Sequence, residues 1–148
     1  MTYDPSKRIP SSDKLSEGFK LAFQNVPMSS TNDSEAHKFL HKYLQIDKRI
    51  VIIWMQDVFI SYFDIDPVPL IVILQVLSEL PNAYPQGPMI AAYGLMHSNP
   101  TVKNLSLKCF DNWNDPKFIN VLKFHSMPVK WLQDYLDQII NKLIKTKG

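Results

Sequence analysis

The segment from Asn99 to Trp113 constrains the fold of this chain more than any other. Asn99 carries a side-chain oxygen suited to capping a helix, and Pro100 occupies a first-turn position that needs no amide hydrogen. Asp115-Pro116 starts a second helix in the same way, and the short connection predicts that the two helices fold back on each other. Between these starts, side chains recur at helical spacing as Val102, Leu105, Ser106, Cys109, Phe110 and Trp113.

The opening Asn99-Pro100-Thr101-Val102-Lys103 resembles the start of a HEAT repeat helix, which commonly reads Asp-Pro-x-Val-Arg/Lys with a small residue one turn later. Ser106 takes that small position. The chain departs from the pattern with Asn for Asp, Ser for Ala and Trp113 for a smaller aliphatic residue, and the resemblance covers about residues 88 to 124. It implies a stack of α-hairpins that binds a macromolecule on one curved face, and it identifies no partner.

Amphipathic spacing predicts helices along most of the chain. The segment 66–80 contains the β-branched run Ile71-Val72-Ile73, which leaves a strand as the alternative, but its length and its Asp66-Pro67 opening favour a helix. The predicted fold class is all-α, a stack of about eight antiparallel helices in a HEAT-like superhelix. Residues 1–11 are predicted to form a flexible arm and residues 12–148 a single domain. Besides the HEAT-like pair, the predicted helices lie at about 12–24, 34–45, 47–63, 66–80 and 88–97, with a last one opened by Met127-Pro128.

Cysteine content and hydropathy indicate the cellular compartment of this protein. Cys109 is the single cysteine, which excludes an intrachain disulfide and is typical of a reducing compartment. The longest uninterrupted apolar run, Ile50 to Met55, is far shorter than the roughly 20 residues of a membrane-spanning helix. Met1 to Asn25 contains charged side chains and no continuous apolar core. We therefore expect no secretion signal, no membrane partner and a cytoplasmic protein.

Charge is distributed unevenly along the chain. No Lys or Arg lies between Arg49 and Lys103, whereas four acidic residues do. One interpretation is that these helices are the buried centre of the stack, with Asp66 acting only as an N-cap. The other is an acidic face that steers a basic partner. In the second interpretation the contacting acidic residues are Asp57, Asp64 and Glu79.

Two predicted helices in this interval each show one polar stripe. Asp57, Ser61 and Asp64 fall on one face of the helix at 47–63. Gln75, Ser78 and Glu79 fall on one face of the next helix. We expect both stripes to face water.

No residue pattern predicts catalysis, a metal site or a cofactor. His37 and His41 have the i, i+4 spacing of two zinc ligands, but the protease Glu and a third ligand are missing, so we interpret them as half-exposed helix surface. Cys109 lies on the inward stripe of its helix as a small apolar residue. His97 and His125 end predicted helices, where the negative pole favours a protonated imidazole.

Three classes of function remain. The leading prediction is a non-enzymatic protein-binding module, most concretely a small cytosolic inhibitor, such as a bacterial toxin immunity protein, that covers a basic partner. Trp113, at a helix corner, is the best-placed aromatic anchor for it. The alternative is a nucleic-acid-binding or DNA-glycosylase-like helical repeat. Residues 101–148 carry eight Lys, which favours it, but they also carry four Asp and no Arg, which does not. A metal-dependent hydrolase built on the two histidines of the second predicted helix is third.

Overall fold

The computed structural model describes residues 8–24, 34–81 and 83–147, which form eight α-helices, one short 3-10 helix and no strand. The all-α prediction is confirmed for these residues. The predicted N-terminal arm lies mostly in residues 1–7, outside the described residues. The helices are α1 (Ser12–Phe23), α2 (Glu35–Ile46), α3 (Lys48–Tyr62), α4 (Pro67–Glu79), α5 (Gln86–Gly94), α6 (Pro100–Trp113), α7 (Ile119–Leu122) and α8 (Lys130–Lys147), with the 3-10 helix at Pro116–Phe118.

The chain divides into two compact units, and the boundary follows Val76 inside α4. The first unit contains α1, α2, α3 and most of α4. The second contains the end of α4 and α5 to α8. That residues 12–148 form one domain stays a prediction.

Side-chain caps set most helix starts, as their sequence positions predict. Ser34 and Asp47 accept hydrogen bonds from first-turn amides of α2 and α3, and Asn99 does so for α6. Asp66 Oδ1 accepts from the amide of Val68 at 3.0 Å, which caps α4. The β-branched run in α4 is therefore helical, because a capped segment of this length satisfies its own backbone and needs no neighbouring strand.

Three predicted helices differ from the observed ones by more than one residue at a boundary. The helix expected at 88–97 spans Gln86–Gly94. The helix expected from Asp115-Pro116 consists of the 3-10 turn followed by the single turn of α7. The last helix begins at Lys130 rather than Met127, because the Met127 amide donates to the Gln133 side-chain oxygen at 2.7 Å and so precedes the first helical turn. The main packing partners of α6 are consequently α5 and α8.

All residues from Leu70 to Ser78 in α4 are buried. This corrects the expected polar stripe, since Gln75 and Ser78 lie inside and only Glu79 is exposed. Despite this apolar character, none of the helices described here is both long and apolar enough to cross a membrane.

An aromatic cluster holds α1 against α2 and α3 in the first unit. The Phe19 ring lies 6.0 Å from Phe39 and 5.7 Å from Trp54, measured between ring centroids. Trp54 Nε1 donates to Ser16 Oγ at 2.9 Å. A Cβ atom at Gly18 would lie only 2.8 Å from a carbon of Phe39, so glycine permits this close approach of α1 to α2.

The inward stripe of α6 forms much of the core in the second unit. Phe110 contacts Trp113 and Phe118 at centroid distances of 5.5 and 5.2 Å. Ser106 Oγ donates to the carbonyl of Val102 at 2.9 Å, which satisfies a hydroxyl group that has no access to water. The predicted stripe positions Val102, Leu105, Ser106, Cys109 and Phe110 are all buried.

We expect the Cys109 thiol to be unreactive in the native protein. The residue is fully buried, and burial raises the pKa of its thiol. Because the thiolate is the nucleophile, a disulfide reagent such as dithiobis-nitrobenzoate should react only after denaturation, then releasing one equivalent of chromophore. Rapid stoichiometric reaction of the folded protein would contradict this packing of α6.

Candidate functional site

The exposed side of α3 carries apolar and acidic side chains together. Ile50, Ile53 and Ile60 are 49%, 40% and 55% exposed. Asp57 is also exposed, as is Asp64 in the turn that follows the helix. At about 100° per residue, the four positions inside α3 fall within an arc of roughly 80°, and Asp64 follows in the next turn. We call these five residues the α3 outer face. The opposite side of the helix is buried through Val51, Ile52, Trp54, Met55, Val58 and Phe59.

This face confirms only part of what the sequence predicts. Asp57 on α3 and Asp64 in the turn after it are both exposed, as the sequence predicts, and their contact with a partner stays a prediction. The three isoleucines were missed, because α3 is apolar around most of its circumference and periodicity alone does not identify its outward side. The available signal was their spacing with Asp57, which alternates between three and four residues along the chain.

Positive charge lies at the start of α3, where Lys48 and Arg49 are exposed, and negative charge lies toward and beyond its end, at Asp57 and Asp64. Arg49 is exposed at the first turn of α3, and by sequence the next cation is Lys103. Lys103 is itself buried, where its Nζ donates to the carbonyl of Leu95 at 2.6 Å, and burial lowers its pKa. The stretch from Ile50 to Lys103 therefore contributes carboxylates and no exposed cation to the surface.

The other two predicted contact residues, Glu79 and Trp113, belong to the second unit. Glu79 is exposed at the last position of α4. Trp113 is half-buried, and its Nε1 donates to the carbonyl of Leu80 at 2.8 Å. Asn112 Nδ2 similarly donates to the carbonyl of Ser78 at 3.0 Å. The end of α6 therefore satisfies one carbonyl in the last turn of α4 and one just after it, and a partner contact by Glu79 or Trp113 stays a prediction.

His37 is a buried structural residue, so its interpretation as half-exposed surface is wrong. It is 2% exposed, and its Nε2 donates to Gln75 Oε1 at 2.6 Å. Its Nδ1 accepts from the amide of Ser34 at 3.3 Å, as part of a capping box at the start of α2. Both ring nitrogens are thus engaged within the protein. Across residues 8–24, 34–81 and 83–147, no three His, Cys, Asp or Glu side chains are placed to hold a metal ion.

The structure also corrects the expectation for the histidines at helix ends. His97 Nδ1 accepts from the amide of Asn99 at 2.9 Å, which requires that this nitrogen carry no proton. At half-buried His125, burial and then the charge of Lys103 lower the pKa. The environment of His125 therefore disfavours the protonated imidazole.

Several lysines of the second unit lie against aspartates, which reduces the positive charge that they present. Tyr135 Oη also donates to Asp111 Oδ2 at 2.8 Å, which adds to the interactions around that carboxylate. Paired lysines are poorly suited to neutralising successive phosphates. The pairs are Lys117 with Asp115, Lys130 with Asp134 and Lys142 with Asp111.

The chain matches no family model, no curated protein and no solved structure. Its packed, all-helical arrangement is established for the described residues. The assignment of about residues 88 to 124 to the HEAT class therefore rests on the resemblance of those residues alone.

Proposed function

We propose that this chain is a non-enzymatic protein-binding module, most concretely a small cytoplasmic inhibitor, of the kind that bacterial toxin immunity proteins represent, which covers a basic partner. The observation that carries the proposal is the α3 outer face, where three exposed isoleucines lie beside two exposed carboxylates. Exposed apolar groups bordered by charge are typical of surfaces that bind other proteins.

The two kinds of side chain have different roles in this proposal. The carboxylates of Asp57 and Asp64 accelerate encounter with a positively charged partner and select the sign of its charge. The isoleucines supply affinity, because covering each half-exposed side chain is worth about 1 kcal/mol. Three such contributions fall short of the roughly 8 kcal/mol of a micromolar complex, so the interface extends beyond this face. Glu79 and Trp113, which belong to the second unit, are proposed partner contacts in their own right.

The same proposal includes a HEAT-like character for about residues 88 to 124. Asn99 accepts from the amides of Thr101 and Val102, as a capping residue of such a helix does. Ser106 is completely buried at the position where the HEAT pattern has a small residue. These features concern capping and packing, so they support a binding scaffold without naming its partner.

Reversing the charges at Asp57 and Asp64 should slow partner association. A partner captured from native lysate is first identified by mass spectrometry and purified. The Asp57→Lys, Asp64→Lys double variant should then associate roughly 10-fold more slowly at low salt, because electrostatic steering is lost. Its association should also depend less on salt. Stopped-flow or surface-plasmon measurements give these rates, and inhibition of the partner's activity tests the inhibitor role.

Glu17→Lys on α1 is the matched control, since it reverses another exposed carboxylate outside the α3 outer face. We expect all three substitutions to leave thermal stability nearly unchanged, because the side chains are exposed. If association is insensitive both to the double substitution and to salt, the acidic residues are only the solvent edge of a buried helix, and the proposal fails.

A further inference from the structure

We infer that the α3 outer face is one half of a two-helix seam, and that its occupant is a basic amphipathic helix of a different protein. The occupant places aliphatic side chains against Ile50, Ile53 and Ile60, and Lys or Arg side chains against Asp57 and Asp64. This inference rests on the proposed protein-binding function and specifies the kind of partner segment that the same face accepts.

The spacing of the face is that of a coiled-coil seam. Within α3, positions 50, 53, 57 and 60 follow each other by three, four and three residues, which is the a/d pattern of a heptad repeat, and Asp64 comes four residues later in the turn after the helix. At about 1.5 Å per residue, the helical part of the seam from 50 to 60 is roughly 15 Å long, and an occupant that also reaches Asp64 needs about two to three heptads. Side chains at this spacing form holes that accept the side chains of a second helix. The side chains of an extended strand repeat every two residues and do not match these holes.

A second copy of this chain does not fit the seam. A parallel twofold pairing places Asp57 against Asp57 and Asp64 against Asp64, which brings like charges together. An antiparallel pairing packs a positions against d positions, so Asp57, at the centre, is buried against an isoleucine without a counter-charge, although Asp64 would lie near Arg49 of the second copy. Both arrangements are unfavourable, and a different chain therefore occupies the seam.

The same carboxylates require that the occupant be basic. Asp57 lies at the middle of the seam, with Ile53 and Ile60 on either side, so docking removes its carboxylate from water. An unpaired buried carboxylate costs several kcal/mol, whereas a facing Lys or Arg offsets much of that cost. Exposed Arg49 stands at the other end of α3, so the negative charge is confined to the C-terminal half of the seam.

Synthetic peptides test this inference directly with the full-length protein. One peptide of about three heptads carries Leu on its apolar seam and Lys at the facing polar positions, and its counterpart carries Glu in place of every Lys. Calorimetry should show that the Lys peptide binds about 10-fold or more tightly than the Glu peptide, with an affinity that falls as salt is raised. Circular dichroism should show that the bound peptide becomes helical.

Substitutions locate the binding to α3. Ile53→Ser should weaken binding of the Lys peptide about 5-fold or more, because it removes an apolar contact within the seam. Asp57→Lys should reduce or reverse the preference between the two peptides. Ile144→Ser on α8 is the matched control, since Ile144 is 51% exposed outside this face, and it should change the affinity less than about 2-fold.

Three results would each overturn the inference: equal affinity for the two peptides, no effect of Ile53→Ser, or no binding of the Lys peptide. Sedimentation that shows a dimer abolished by Ile53→Ser would instead assign the face to a second copy. The proposed function fails separately, since it requires that the purified partner protein depend on Asp57 and Asp64. If that dependence holds and the peptide result is negative, the chain binds a protein whose contacting segment is not such a helix.

Discussion

Phe110→Ala should lower the free energy of unfolding by about 3 to 5 kcal/mol. The Phe110 ring is fully buried and contacts the rings of Trp113 and Phe118, so its removal loses apolar burial and leaves a cavity between α6 and the 3-10 helix. Urea denaturation followed by circular dichroism measures the change.

A second phenylalanine provides the control. Phe124, shortly after α7, is 82% exposed, so Phe124→Ala should change stability by less than about 0.5 kcal/mol. Equal losses for the two variants would mean that the core of the second unit is not organised around the inward stripe of α6.

His37→Ala should cost about 2 to 5 kcal/mol, although no metal or catalytic role is assigned to the residue. Removing the imidazole takes a hydrogen-bond donor from buried Gln75, which costs about 1 to 3 kcal/mol. It also removes half of the capping box with Ser34, worth about 1 kcal/mol, and leaves a void in the first unit. Chemical denaturation measures the loss.

The neighbouring histidine and the hydrogen-bond partner separate these contributions. His41 is half-buried one turn further along α2, and His41→Ala should cost less than about 1 kcal/mol. A double-mutant cycle of His37→Ala with Gln75→Met should give a coupling energy of about 0.5 to 3 kcal/mol. A His37→Ala protein as stable as the parent would show that the hydrogen-bonded pair contributes nothing to stability.

The helices themselves could be predicted because their causes are local. Asp47, Asp66 and Asn99 mark helix starts through bonds to amides two or three residues away, and the period of α6 is visible within its own segment. The start of α8 was misplaced because the Met127 amide bonds to the side chain of Gln133, six residues ahead, instead of entering the first turn.

Of the candidate surface, only the charged residues could be predicted from the sequence. Helical spacing predicts that Asp57 and Asp64 are exposed, and the lack of cations between Arg49 and Lys103 can be counted. The apolar part required the structure, because α3 carries apolar side chains toward both the interior and the solvent. Tryptophan is a residue type that often anchors a partner. The indole nitrogen of Trp113, however, donates to the carbonyl of Leu80, and this contact could not be predicted because Leu80 is far away in the sequence.

The sequence by itself determined the all-α class, the helix starts that rest on local caps, and the uneven charge. Tertiary structure alone decided that His37 meets Gln75, that Lys103 is buried against Leu95, and that three isoleucines of α3 remain in solvent. The physical reason is the range of the interactions. Capping and helical period act within about four residues, whereas burial of a side chain depends on which other helix covers it.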